Sequence, residues 1–312
     1  MKHKTSITII LLAMFLLTQF IGLYVVDSYS PSVKIETNPE TGEEINVTYY
    51  PEENQLPFNL QAPEEQEPNL ASIIISFIFA IMLILLLMKY KMVLLIRLWF
   101  FVVVIIALSV SFNSFLKMSL VYASLISLIA AIPLAYFKVF RRSIILHNLT
   151  ELLIYPGIAA VIVPLLGVYS VIALLIIFSI YDMWAVWKSG IMQKMAKFQM
   201  EEVKIFGGFL VPYLTKNVRQ KIQKLKKSKK KNKGVRMSLA ILGGGDIIFP
   251  IITAGVFLRE LGIVPALFVI FGAFAGLFYL FMITKKNKFY PALPFITAGI
   301  FVGALLARIF FI

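Results

Sequence analysis

The sequence contains no cysteine and only two histidines, His3 and His147. Disulfides, thiol catalysis and any cysteine-rich metal site are thereby excluded, while the redox compartment is left open. There is no His-Glu-x-x-His pair for a zinc protease. His147, in His147-Asn148-Leu149-Thr150, reads as an interfacial residue at a helix entrance. No histidine is therefore placed to activate an intramembrane serine. Acids are scarce as well, 16 against 30 Lys and Arg, and they are unevenly spread. Ten of the sixteen lie between Asp27 and Glu67, whereas fifteen of the thirty basic residues lie between Lys188 and Arg236. That segregation describes two faces of a membrane rather than a nucleic-acid groove, and no nucleic-acid partner is expected.

What is abundant is apolar surface. Hydrophobic residues make up 60% of the 312 positions, and mean hydropathy is +0.87. Soluble domains seldom exceed about half apolar residues, and several runs here reach the roughly 20 residues that cross a bilayer core. The alternation of barrel strands is absent. The expected class is all-α, a polytopic membrane protein with nine transmembrane helices. The spans run approximately Ser6–Val26, Leu70–Met88, Met92–Phe112, Phe115–Phe137, Ser143–Leu166, Gly167–Trp187, Met237–Leu258, Gly262–Thr284 and Pro291–Ile312. The first is longer in its apolar part than a secretory signal and lacks an A-x-A-like site, so it reads as a retained helix.

Charge in the connections predicts orientation. Lys2 and Lys4 precede the first span; Lys89 and Lys91, then Lys138, Arg141 and Arg142, then the 188–236 loop, then Lys285, Lys286 and Lys288 mark every second connection as basic. The amino terminus is expected to be cytoplasmic and the carboxyl terminus external. The connection 27–69, acidic and proline-rich, reads as an external loop with a short hairpin around Ile45–Tyr50. The chain divides into 1–166, spans one to five with that loop, and 167–312, spans six to nine with the basic loop 188–236. Within that loop, Lys221–Lys233 is too charged to pack; it reads as a solvated linker or as an attractor for anionic lipid heads. Val203–Leu214 is apolar enough to dock on the membrane or cover a site. Arg97, Arg308 and Glu151, also within spans, read as side chains that snorkel to an interface.

Two acids do not fit a bland membrane span. Asp182 lies in the sixth and Asp246 in the seventh. Each costs about 2.5–3.5 kcal/mol at mid-helix on insertion scales. Helix rise puts Asp182 about 9 Å from the edge marked by Lys188, and Asp246 about 15 Å from that marked by Arg236. On antiparallel neighbours the two carboxyls can meet. In low dielectric they then share a proton, and one activates water while the other polarises a scissile carbonyl. That chemistry needs no metal, no cofactor and no nucleophilic side chain. Gly243, Gly244 and Gly245 clear space beside Asp246 and permit local unwinding, and Pro250 removes a helical donor from the Asp246 carbonyl. Pro291 and Pro294 make a poorly hydrogen-bonded entrance to span nine.

Tyr181-Asp182, the Gly-x-Gly-Asp of Gly243–Asp246, and Pro291-Ala292-Leu293 resemble the three signatures of the presenilin/signal peptide peptidase family of intramembrane aspartyl proteases. Their order and spans match that family, as does the count of nine helices. The resemblance is clearest from about Glu151 to Ile312, and the short termini look most like an archaeal presenilin homologue in a prokaryotic cell membrane. It implies that Asp182 and Asp246 are the catalytic pair, and that Tyr181, the three glycines, Pro291, Ala292 and Leu293 shape the site and help bind substrate. It further implies a transmembrane-helix protein as substrate, unwound and held by strand addition. Gly244 stands where eukaryotic members usually carry Leu. Other readings of the same acids are a prepilin peptidase, an ion or proton transporter, a cation-leak channel, and a catalytically silent scaffold. Ile247-Ile248-Phe249-Pro250 lacks the basic residue that usually follows a prepilin peptidase Asp, and the halves carry no convincing repeat of the transporter kind.

Overall fold

The computed structural model describes residues 5–37, 44–49, 57, 70–117, 122–141, 143–189, 198–203, 205–213, 238–284 and 290–311. Among these residues there are nine long helices: α1 (Thr5–Asp27), α2 (Leu70–Lys89), α3 (Val93–Leu116), α4 (Ala123–Phe140), α5 (Ile144–Ile162), α6 (Val168–Trp184), α7 (Gly244–Leu261), α8 (Ile263–Ile283) and α9 (Leu293–Phe311). Eight are long and apolar enough to cross a membrane. The exception is α7, whose 18 residues include Asp246, Arg259 and Glu260.

The helices are apolar all round, which in a helix means burial or lipid. The inward stripes meet in one core in which Leu11 and Phe15 of α1, Leu175 of α6, Ile247 and Ile251 of α7, Ile270 and Leu277 of α8, and Ile296 and Ile300 of α9 are fully buried. A second cluster joins Val104 and Leu108 of α3, Ala131 and Ala135 of α4, and Ile154 of α5. Outward faces keep large apolar side chains such as Phe79 and Trp99, as a hydrocarbon solvent requires. Helices α8 and α9 pack backbone to backbone, because a Cβ on Gly272 or Gly299 would strike the other's carbonyl. Close approach of this kind is how membrane helices gain van der Waals contact without a hydrophobic driving force.

Two small sheets complete the described fold. Strands β1 (Ser32–Thr37) and β2 (Glu44–Tyr49) pair antiparallel and form the hairpin expected around Ile45–Tyr50. Strands β3 (Gly208–Tyr213) and β4 (Ser238–Gly243) also pair antiparallel, from Gly208↔Gly243 to Tyr213↔Ser238. This second sheet corrects two expectations. The seventh span is not helical from Met237: its helix begins at Gly244, and the six residues before it are strand. The physical reason lies in Gly243-Gly244-Gly245, since each glycine costs about 1 kcal/mol in a helix interior, so the helix starts among them instead of running through. The depth of about 15 Å for Asp246 assumed helical rise across 237–243 and no longer holds, because a strand advances about twice as far per residue. Within Val203–Leu214, residues Gly208–Tyr213 form strand β3, tied to β4.

The expectation that Glu151 snorkels to an interface is also corrected. Glu151 is 1% exposed, and its Oε1 lies 2.6 Å from Nζ of Lys138, itself buried. Lys138 is therefore an internal partner and not a loop charge. Arg97 donates from Nε to the Val203 carbonyl at 2.9 Å, which binds α3 to the segment after α6. Arg259 donates to the carbonyls of Val163 and Leu166 at 3.0 and 2.7 Å, which ties α7 to the turn after α5.

Candidate active site

Asp182 lies in the last turn of α6 and is 7% exposed. Its Oδ2 accepts a hydrogen bond from the backbone N–H of Leu293 at 3.2 Å, and the Ala292 N–H also donates to the carboxylate. Leu293 is the first residue of α9. Helix amino termini have unpaired N–H groups and a positive dipole end, so a carboxylate docks there readily. Pro291 and Pro294 have no N–H to offer. Of the four residues Pro291–Pro294, the two that can donate both donate to Asp182. Beyond Asp182, α6 ends in a wider helical turn at Ala185–Ser189, while Tyr181 stands partly exposed beside Trp184.

Asp246 occupies the third position of α7, with Gly243 as the residue before the helix. Its carboxylate takes a hydrogen bond from the Gly243 N–H. This is one half of a capping box, a third-position acid reaching back to the cap N–H. The Asp246 carboxyl also lies within electrostatic range of that of Asp182. Two contacts hold α6 near its neighbours at this level. The rings of Phe178 and Phe249 lie 4.8 Å apart between α6 and α7, and the hydroxyls of Ser179 and Thr297 lie 2.8 Å apart between α6 and α9. Each pair sits within a turn of the residues it aligns.

The glycines beside Asp246 differ in their surroundings. A Cβ at Gly244 would come within 2.6 Å of the Tyr155 hydroxyl and 3.1 Å of its ring, whereas Gly245 is exposed. Gly244 thus serves packing of α5 against the start of α7, a role that spacing alone did not disclose. The nine residues singled out from the sequence lie on three segments: Tyr181 and Asp182 at the end of α6, Gly243–Asp246 at the start of α7, and Pro291–Leu293 at the start of α9.

Other residues at this end of the bundle escaped the sequence reading. Tyr155 is 5% exposed, and its hydroxyl has no hydrogen bond of good geometry among the described residues. Gln19 of α1 is fully buried and donates to the Ile247 carbonyl at 3.1 Å, beside Asp246. A lone amide in the middle of an apolar span was a readable signal. Tyr155, Ser179 and Thr297 gave none. His147 is not merely interfacial, for its Nε2 lies 2.8 Å from the Gly208 carbonyl. Among the described residues no His, Cys, Asp and Glu cluster is arranged to hold a metal ion.

A helical bundle whose two intrahelical acids interact, one of them held by a neighbouring helix terminus, defines an integral multi-pass membrane protein with a carboxylate site. The family model described as signal-peptide peptidase, presenilin aspartyl protease matches residues 47–312. The chain belongs to that family, and it is a hydrolase, an intramembrane aspartyl protease. Two solved structures of a presenilin family intramembrane aspartate protease are similar in fold. The form in space group C222 gives a TM-score of 0.61 at 17% identity, covering 97% of this chain and 98% of that one. The P2 form gives 0.59 at 18% identity, covering 96% of each. No curated protein matches the chain in sequence.

Proposed function

We propose that Asp182 and Asp246 are the catalytic dyad of an endopeptidase that hydrolyses peptide bonds within transmembrane helices of other membrane proteins. The observation that supports this reading is the setting of Asp182, whose carboxyl takes the Leu293 N–H and lies within electrostatic range of Asp246. One proton is shared by the pair. The ionised member takes a proton from water while the protonated member donates to the scissile carbonyl oxygen; the hydroxide carbon bond forms and a tetrahedral diol results. The diol then collapses: one of its hydroxyls returns a proton to the ionised carboxylate, the C–N bond breaks, and the proton of the other carboxyl passes to the leaving amine, so the pair ends with its single proton.

Substrate must reach this site extended, because a helix has no free backbone groups. Strand β4 leads directly into Gly243 and Asp246 and supplies a template. The register pairs Phe209 with Leu242 and Val211 with Ala240 through the ladder, so the N–H and C=O of Leu239 and Ile241 point to the other edge. Among the described residues nothing pairs with them, and the Ile241 side chain is 40% exposed. A substrate strand added there gains main-chain hydrogen bonds that do not depend on its sequence. Tyr181, the exposed Gly245, Pro291 and Ala292 shape the space beside it. Segment 167–312 forms the catalytic unit and 1–166 its support, with the amino terminus cytoplasmic in an archaeal-type cell membrane. Lys221–Lys233, outside the described residues, is the segment suited to anionic lipid.

The test is cleavage of a single-span substrate by the purified protein in liposomes, with products located by mass spectrometry. Cleavage within the span, lost in Asp182→Asn and in Asp246→Asn, is the expected result. Cleavage that survives both substitutions overturns the assignment. Asp-dependent ion flux with no hydrolysis identifies a transporter instead.

A further inference from the structure

The two edges of the β3–β4 sheet are not equivalent. Strand β3 turns its outward groups toward α5, and two consecutive side chains there stand in for a neighbouring strand. Asn148 donates from Nδ2 to the Leu210 carbonyl at 2.8 Å and accepts at Oδ1 from the Leu210 N–H at 3.0 Å. This is the two-bond exchange that one residue of an antiparallel strand makes with its partner. His147 takes the Gly208 carbonyl, Nε2 to O 2.8 Å. At the next outward position, Pro212, there is no N–H at all.

The His147 ring is itself held. Lys138 Nζ lies 3.3 Å from its Nδ1 and 2.6 Å from Glu151 Oε1. An ammonium only donates, so Nδ1 accepts and Nε2 carries the proton given to Gly208. The chain of contacts runs from Glu151 through Lys138 and His147 to the backbone of β3. The side chains of Lys138 and Glu151 are 1% and 2% exposed. An ion pair that deep is costly unless its geometry is good, and here it fixes the tautomer and orientation of one ring.

We propose that His147 and Asn148 are positioning residues that close the outer edge of β3, leaving the β4 edge as the one open to an extended substrate among the described residues. An unpaired edge accepts any strand. With both edges open, a substrate segment added to β3 would lie one strand farther from Asp246 and in no register with the dyad. Blocking β3 also anchors the sheet to α5, so that β4 enters α7 at a fixed height. Cleavage position is thereby set by a pair of side chains that do not touch substrate.

This inference rests on strand addition at β4, and the experiment separates the two. Ile241→Pro deletes an outward N–H on β4 while an edge strand tolerates proline; it is expected to raise KM strongly for the single-span substrate. If Ile241→Pro cleaves normally, strand addition at β4 is wrong and the edge-closing role falls with it. With Ile241→Pro impaired, the deciding variants are Asn148→Leu, His147→Leu and His147→Gln. Both leucine variants are expected to lower kcat about tenfold, the scale of a small misplacement, with KM changed less and products spread over several cleavage positions. His147→Gln, which keeps an N–H donor near the position of Nε2, is expected to restore the single position. A variant that melts early yet cuts at the wild-type position, or equal effects of Leu and Gln at His147, assigns these residues a structural role only and overturns the proposal. If Asn148→Leu does not fold, the His147 pair carries the same decision.

Discussion

At the scale of single residues, the site is built from groups that have few alternatives. Asp182 faces a stretch in which proline removes two of four N–H donors, and the remaining two point at its carboxylate. Leu293→Pro would delete one of them while remaining compatible with the first position of a helix. It is expected to cut kcat at least tenfold relative to Leu293→Ala, which loses the same packing but keeps the N–H. Equal rates for the two variants would remove the backbone contact from the account. Gly244 is constrained by Tyr155, with 2.6 Å from a Cβ to the hydroxyl. Gly244→Ala is expected to destabilise by about 1–3 kcal/mol. Adding Tyr155→Phe should recover part of that loss in a double-mutant cycle of thermal unfolding. The buried Lys138–Glu151 pair gives a third case. Removing one partner, as in Lys138→Met, leaves an unpaired charge and is expected to cost about 3–5 kcal/mol; Lys138→Met combined with Glu151→Leu should cost less, and a double variant weaker than either single would contradict this.

At the scale of elements, the three short signatures were legible because each depends on local chemistry. An acid in an apolar span, glycines beside it and prolines opening a helix stand out in any window of a few residues. The β1–β2 hairpin was readable from alternation and its neighbouring turn residues in the same way. The β3–β4 sheet was not, because its strands are separated by a long basic segment and each reads alone as a piece of apolar span. Ser238–Gly243 illustrates the point: Leu239, Ala240, Ile241 and Leu242 read as part of an apolar helical span, and pairing with Gly208–Tyr213 decides otherwise. Lys138 and Glu151 were misread for a related reason. Each was judged by its distance from a presumed interface, whereas α4 and α5 bring them together and neutralise both. Helix content alone therefore underestimates the site, since the strand entering α7 positions Asp246.

At the scale of the whole molecule, the bundle solves a placement problem. Helices α1, α6, α7 and α9 are held by contacts within about a turn of the acids: Phe178 to Phe249, Ser179 to Thr297, and Gln19 to the Ile247 carbonyl. Under the proposed mechanism, two carboxyls sharing one proton impose a pH dependence on the assembly. At low pH both are protonated and no base remains; at high pH both are ionised and no acid remains. The rate of hydrolysis is expected to follow a bell whose limbs belong to the pair and not to either residue. A profile with one limb only would contradict a shared proton. The central claim is that Asp182 and Asp246 work as one unit, and the most direct measurement is the hydrolysis rate of the two single Asn variants beside the double variant. Groups that act together are lost together, so each single substitution is predicted to reduce the rate as far as both combined. Losses that add, or a single variant that retains substantial cleavage, would contradict the dyad.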